Sequence, residues 1–250
     1  MDNTLYDKFF EVEQHHWWFV ARRRIVFSLL DKFLPAGSRQ GLKVYDVGCG
    51  CGINLSELAR LGFDATGVEP SDTALAYCRA RGVRVVKGAL PDALGLPEGS
   101  ADAMLLLDVL EHIDDDRRSF ASVMKVLRPG GILICTVPAY AWLFGGRDVL
   151  NHHKRRYGWA DFANILGGGI DSQVLLHSYM NLLLFPPAAA FRLAFKILPF
   201  RRAPSELSLV PVVNRLALWA FGGERRLLTR GLRLPFGLSM VAVVRRRSSP

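Results

Sequence analysis

Residues 44–52 read Val-Tyr-Asp-Val-Gly-Cys-Gly-Cys-Gly, an apolar strand that runs straight into glycines at 48, 50 and 52. Few folds use such a stretch. The β-formers fix the strand, and glycines at alternate positions leave a turn whose main chain has no Cβ to hold a ligand away. The run at 53–61 is helical in pattern, so the free N–H groups at its start face that turn. Seventeen residues past Gly52 a second strand stops at Glu69, where a carboxylate can accept two hydrogen bonds from a ribose diol. The arrangement predicts a nucleoside-bearing cofactor. It is not a dinucleotide arrangement, because the third glycine of that pattern would stand where this chain has Ile53.

Beyond the loop, strand and helix alternate. Candidate strands at 43–47, 64–69, 83–87, 103–108 and 132–137 are separated by helical runs at 53–61, 72–81 and 116–127. Ser71 suits the N-cap of the second helix, and Pro129-Gly130-Gly131 stops the third. Such alternation predicts an α/β fold whose parallel sheet is covered on both faces. A helix near 159–167 and strands at 172–178 and 237–245 complete the pattern. Residues 181–235 then form an insertion between the last two strands.

The 250 residues suit one domain with an elaboration, in which residues 1–40 lead, 41–180 form the core and 236–246 the final strand. Cys49, Cys51, Cys78 and Cys135 include no C-x-x-C pair, which argues against a disulfide framework or zinc site and for a reducing cytosol. The paired histidines 15–16 and 152–153 lack the i, i+4 spacing of helical ligands, so no metal is expected. The N-terminus lacks a secretory pattern, and no apolar run reaches the ~18 residues of a membrane span. A cytoplasmic chain is expected.

The net charge of +9 is concentrated. Residues 181–236 hold nine basic side chains against Glu206 and Glu224, interleaved with apolar stretches. That texture suits an anionic amphiphile or a membrane surface better than a nucleic-acid track. The first half of the insertion is interrupted by Pro186-Pro187 and then places Arg192 and Lys196 apart from Phe191, Phe195 and Leu198 on a helix. The second half, 207–221, has only Asn214 and Arg215 as strongly polar residues, so it needs a cover of domain, lipid or partner.

Four further segments follow the glycine loop in order: 67–71 (Gly-Val-Glu-Pro-Ser), 96–102 (Leu-Pro-Glu-Gly-Ser-Ala-Asp), 107–113 (Leu-Asp-Val-Leu-Glu-His-Ile) and 126–131 (Val-Leu-Arg-Pro-Gly-Gly). With Asp46-x-Gly48-x-Gly50-x-Gly52 they make the chain resemble the class I S-adenosylmethionine-dependent methyltransferases. The resemblance implies a Rossmann-like seven-stranded, mostly parallel sheet with an antiparallel edge strand, and S-adenosylmethionine as cofactor. It implies that the backbone at Gly48, Cys49, Gly50 and Gly52 meets the methionyl part and that Asp46 organises the turn or the amino group. By the same likeness Glu69 and Pro70 take the ribose, Ala89 and Leu90 flank the adenine, and Leu107 and Asp108 complete the site. Many members carry an acid where this chain has Ala89, so Asp92 or a backbone carbonyl would take the adenine amine.

An acceptor hydroxyl also needs a base. His112, after the fourth strand, is the first candidate and His153 the second. Packing beside Asp114, Asp115 and Asp116 is an equal reading of His112. Residues 151–157 (Asn-His-His-Lys-Arg-Arg-Tyr) resemble the His-x-Arg-Arg-Tyr segment of a group of methyltransferases that share an aromatic and arginine-rich start and an apolar insertion. Tyr140, Arg155, Arg156 and Tyr157 are the candidate acceptor-binding residues, the arginines for a phosphate or carboxylate. His16, Trp17 and Trp18 either fold over the cofactor or pack their helix on the sheet. There is no Asn/Asp-Pro-Pro-Tyr/Phe after the fourth strand and no Pro-Cys nucleophile, and Cys135 reads as core. These features favour methyl transfer to oxygen on a small-molecule or lipid-like acceptor. An RNA methyltransferase and a non-catalytic cofactor-binding scaffold that docks on a membrane or partner protein are the alternatives.

Overall fold

A computed structural model describes residues 3–34, 37, 39–167, 172–197 and 211–247. Leu198, Arg201, Arg202, Glu206 and Leu207 of the insertion lie outside the described residues, as do the side chains of Phe191, Phe195 and Lys196. The elements are α1 (Asn3–Val12), α2 (Trp17–Phe33), β1 (Lys43–Val47), α3 (Ile53–Arg60), β2 (Asp64–Glu69), α4 (Asp72–Ala80), β3 (Val85–Lys87) and β4 (Ala101–Leu107). They continue as α5 (Asp116–Val126), β5 (Leu127–Pro138), α6 (Gly146–Leu150), α7 (Trp159–Leu166), β6 (Ser172–Met180), α8 (Phe185–Ile197), α9 (Pro211–Thr229) and β7 (Ser239–Arg246).

The strands form one sheet in the order β3-β2-β1-β4-β5-β7-β6. The pairs among β1 to β5 are parallel, whereas β7 runs antiparallel to both of its neighbours, β5 and β6. The reversed strand thus lies one place in from the rim, with β6 outermost. Reversal of strand order beside β1 opens a crevice at the carboxyl ends of β1 and β4, where open α/β sheets take their ligands.

Alternation along the strands supplies two cores. Ile132 and Ile134 of β5 face the side packed by Ile25 and Leu29 of α2, Leu55 of α3 and Phe221 of α9. Leu133, Cys135 and Val137 face the side packed by Phe120 of α5 and Phe162 of α7. Each such buried side chain stabilises by ~1.5–3 kcal/mol relative to exposure. All four cysteines are buried and free.

Ser71 caps α4 through a hydrogen bond from the Ala74 N–H, and β1 and β2 have the bounds read from the sequence. Three details differ. The strand β5 begins at Leu127, directly after α5, because an irregular register at Ala101–Ala103 lets the Pro-Gly-Gly segment join the ladder. Pro186 and Pro187 start α8 rather than break it, since a first helical turn has no use for their missing N–H groups. The helix α9 is only half covered. It packs against α2, with Ala217, Phe221 and Leu228 buried, while Leu216 is 63% and Trp219 79% exposed. Among the described residues no helix is long and apolar enough to cross a membrane.

Candidate active site

The glycine loop leaves β1 through Gly48, Gly50 and Gly52 at φ of +72°, +55° and +83°, a region where L side chains are strained. A Cβ on Gly48 would stand 2.6 Å from Val109 Cγ2, whereas one on Gly50 would meet nothing within 4 Å. Gly50 faces open space because the loop borders a cavity of about 580 Å³. Gly48 and Cys49 line the same cavity, but Gly52 stands behind it as the N-cap residue of α3.

Glu69 at the tip of β2 ties this loop down. Its carboxylate accepts from the Gly50 N–H at 3.0 Å, the Ser71 N–H at 3.1 Å and the Tyr6 hydroxyl at 3.4 Å. Burial pushes the Glu69 carboxyl up from its usual range, and burial raises the Tyr6 hydroxyl to about 12. Asp46 is also buried and accepts from Asn54 Nδ2 at 3.2 Å; desolvation carries its carboxyl up to about 7. Pro70, Ala89 and Leu90 continue the lining from Glu69. Asp92 does not reach it, being exposed and paired with Arg118 at 2.6 Å, so an adenine amine there would have to use backbone.

Leu107 and Asp108 close the floor. Asp108, at φ +56°, accepts from Thr136 Oγ1 at 3.0 Å and from the Arg22 guanidinium of α2. That pair fastens the N-terminal helices over the carboxyl ends of β1 and β4. Trp17 and Trp18 line the cavity, and Trp17 also stacks on Phe221 with ring centroids 5.5 Å apart. His16 caps α2 by accepting from the Trp18 N–H, and Asn214 of α9 accepts from the Trp17 N–H at 2.7 Å. The insertion thereby holds the leading helices in place.

The opposite wall comes from the turn at 110–112 and the segment 146–157, joined where the Lys154 N–H donates to the Glu111 carbonyl at 2.7 Å. The rings of His112 and His153 meet edge to face with centroids 4.8 Å apart, and both line the cavity. His112 Nδ1 lies 3.2 Å from the His152 carbonyl; burial first, and His153 second, lower the His112 imidazole to about 4. It is neutral at physiological pH. His153 Nδ1 lies 3.0 Å from Asp148 Oδ1, and its Nε2 lies 4.0 Å from Glu111 Oε1. Glu111 is fully buried and neither carboxyl oxygen has a hydrogen-bond partner; burial and the neighbouring Asp108 hold it well above the carboxylate range.

Asp148 organises this wall. Its carboxylate accepts from His153, from Arg156 Nε at 2.7 Å, from Arg192 Nη1 at 3.1 Å and from the Gly145 N–H at 2.9 Å. Burial pushes its carboxyl up, but the His153 hydrogen bond and the Arg156 and Arg192 charges outweigh that and hold it at about 2. Arg156 faces the cavity together with Arg147 and Arg192. Arg155, Tyr157 and Tyr140 do not line it. Arg155 binds Asp116 at 2.9 Å and Tyr157 donates to the same carboxylate at 3.0 Å, so both brace the fold, while Tyr140 stacks on Tyr179 at 5.3 Å. Sequence reading passed over Arg22, Asp148 and Arg192. Asp148 precedes His153 by five positions, and that interval was its one local signal; Arg192 was legible only as a basic residue on the first helix of the insertion.

A βα glycine turn tied to an acid at the next strand tip, on a sheet of this order, defines a nucleoside-cofactor site of the methyltransferase type. Residues 45–135 match the model of the methyltransferase domain family. A protein of Mycolicibacterium smegmatis named as a probable S-adenosylmethionine-dependent methyltransferase is 29% identical over 156 residues, 61% of this chain and 58% of that one. The ubiquinone biosynthesis O-methyltransferase of Methylococcus capsulatus is 30% identical over 168 residues, covering 61% of this chain and 70% of the relative. The chain spans 46% of the enzyme of the same name from Maricaulis maris, about half its length. The crystal structure of a methyltransferase from Archaeoglobus fulgidus superposes with a TM-score of 0.55 at 16% identity, over 92% of this chain and 94% of that one. The chain belongs to the class I S-adenosylmethionine-dependent methyltransferases. The cofactor of that family is S-adenosylmethionine.

Proposed function

We propose that the protein transfers a methyl group from S-adenosylmethionine to an oxygen atom of a small amphiphilic acceptor. The observation that carries this reading is that one cavity is lined both by Gly50 and Glu69 and by His112 and His153. The residues fit the cofactor: the Gly50 cradle is one a Cβ would fill, and Glu69 and Asp46 are buried acids turned to it. Glu69 would hold the ribose, with the Tyr6 hydroxyl giving way, and Asp46 the amino group. When bound, the cofactor supplies an electrophilic methyl on a thioether leaving group. The chain's own work is alignment and exclusion of water by α1 and α2, together with removal of the acceptor's proton.

For that proton the roles of the two histidines reverse the order expected from sequence. The Nδ1–H of His153 donates to Asp148, which fixes the tautomer and leaves Nε2 with its lone pair, the arrangement of an oriented general base on a residue that lines the cavity. His112, lowered to about 4, is a weaker base. The ubiquinone O-methyltransferases among the relatives support an oxygen acceptor, and Arg156 and Arg192 suit an acceptor that carries negative charge. Methyl-labelled cofactor incubated with extracted lipids, polar metabolites and RNA tests the reading. Label should enter the lipid or metabolite fraction in the parent and not in His153→Ala; label confined to RNA would replace it with the nucleic-acid reading.

A second proposal concerns α9. Arg215, Leu216, Trp219, Arg226 and Arg230 are exposed at helical spacing, an apolar and cationic face suited to an anionic bilayer from which such an acceptor would be drawn. Sedimentation with vesicles containing anionic lipid, compared with neutral ones, tests it.

A further inference from the structure

Three side chains at the acceptor wall bring two ring nitrogens and a carboxyl oxygen together with no hydrogen bond among those atoms. The His112 Nδ1 atom faces the carbonyl oxygen of His152 at 3.2 Å, which can only accept, so the ring proton sits on Nδ1 and Nε2 keeps its lone pair. His153 Nδ1 faces Asp148 Oδ1 at 3.0 Å, which fixes that ring in the same tautomer. Glu111 brings a carboxyl of zero exposure whose Oε1 and Oε2 lack any hydrogen-bond partner, with Oε1 4.0 Å from His153 Nε2. One ligand atom from each of the three residues lies within 4.8 Å of the other two. A buried carboxyl left without donors is costly, by several kcal/mol when ionised, unless something positive completes it.

Among the described residues none donates a hydrogen bond to it. Asp108 is held by Thr136 and Arg22, Arg156 by Asp148 and the Ala139 carbonyl, and Lys154 by Asp114. Two imidazole nitrogens and one carboxyl oxygen form the donor set that borderline divalent ions take, with open positions left for substrate. The Asp148 contact to His153 Nδ1 matches the carboxylate that commonly stands behind a ligating imidazole. The two segments are pinned side by side by the Lys154–Glu111 backbone hydrogen bond at 2.7 Å, and the three side chains would close by about 1 Å around an ion with bonds of ~2.1 Å.

We infer that Glu111, His112 and His153 form a binding site for a divalent transition-type cation such as Zn²⁺, at the acceptor end of the cavity. The inference deepens the proposed methyl transfer and rests on it for its role. An acceptor hydroxyl bound at the ion's open position would lose its proton more readily: the O–H bond breaks, the oxygen keeps the electron pair, and the proton leaves to solvent. In that state His153 acts as ligand, not base.

Co²⁺ is the probe for the test, added to chelator-treated protein that carries no polyhistidine tag. Visible absorption of a low-symmetry, nitrogen- and oxygen-ligated ion should develop to one equivalent, and Zn²⁺ should bleach it. Glu111→Gln keeps the shape of the side chain and should weaken Co²⁺ binding at least tenfold. Asp148→Asn should weaken it by about 10–100-fold, acting through His153. Absence of the visible bands in the parent overturns the inference. Equal binding by Glu111→Gln, or an intense near-ultraviolet band from cysteine ligation, overturns it too. Titration of the same samples with S-adenosylhomocysteine separates the two readings. Nucleoside binding without Co²⁺ binding sinks only the ion site, whereas Co²⁺ binding without nucleoside binding sinks the methyltransferase reading and leaves the ion site standing.

Discussion

The cofactor wall and the acceptor wall of this cavity are built in opposite ways. The first is short-range and made largely of main chain. Gly48 to Gly50 and Glu69 belong to one βαβ unit, and the Gly50 N–H itself holds the acid that serves the nucleoside. The second is long-range and made largely of side chains, since the turn at 110–112, the segment 146–157 and Arg192 of α8 meet through Asp148, the contacts of His112 with His152 and His153, and the Lys154–Glu111 hydrogen bond. The backbone cradle depends on its glycines and on Glu69, whereas a side-chain wall changes specificity with each substitution.

Substitutions in each wall should behave accordingly. Gly50→Val places branched carbons in the open space beside the loop at a φ of +55°, so S-adenosylhomocysteine affinity should fall by roughly 100-fold or more in calorimetry. Asp148→Asn keeps the shape but donates where it should accept, which loosens His153, Arg156 and Arg192 together. Turnover should fall by about 10²–10⁴-fold with cofactor affinity nearly intact. Equal losses in binding and turnover would erase the distinction between the walls.

The buried acids give a third, smaller contrast. Asp46 in the cofactor wall is held near 7, above its unfolded value, so between about pH 4 and 7 the unfolded chain binds fewer protons. The cofactor-free protein should lose stability as pH rises through that window, and Glu13, raised by burial to about 7, adds to the trend. Asp148 in the acceptor wall, held at about 2, has the opposite sign: its contribution is complete above about pH 4 and is lost as pH falls toward 2. If Asp46 takes the cofactor's amino group it must ionise, and binding at about pH 6 should release a proton, read from calorimetry in buffers of different ionisation heat. The smallest effect belongs outside both walls. Trp219→Ser should leave stability within about 0.5 kcal/mol and turnover on soluble acceptors unchanged, but reduce sedimentation with anionic vesicles.

How much was legible in the sequence follows the same division. The glycine spacing, the strand ending at Glu69 and the alternation of elements depend on contacts within a few tens of residues, and β1, β2, α3 and α4 lie where the pattern put them to within a residue. The pairing of His112 with His153 crosses 41 positions and depends on how α6 folds back, which no periodicity encodes. For the same reason Arg155 and Arg156, adjacent in sequence, part company: one braces Asp116 on the outside and the other reaches Asp148. The half-covered state of α9 was equally hidden, because an apolar helix announces a need for cover without saying how much of it the chain supplies.

The account stands on a nucleoside lying against the bare main chain at Gly50 with its ribose on Glu69. Calorimetric titration of the purified protein with S-adenosylhomocysteine tests this most directly. One saturable site per chain is predicted, with the affinity weakened when Glu69 is changed to Gln. No heat at saturating nucleoside, or a site indifferent to Glu69, would contradict it.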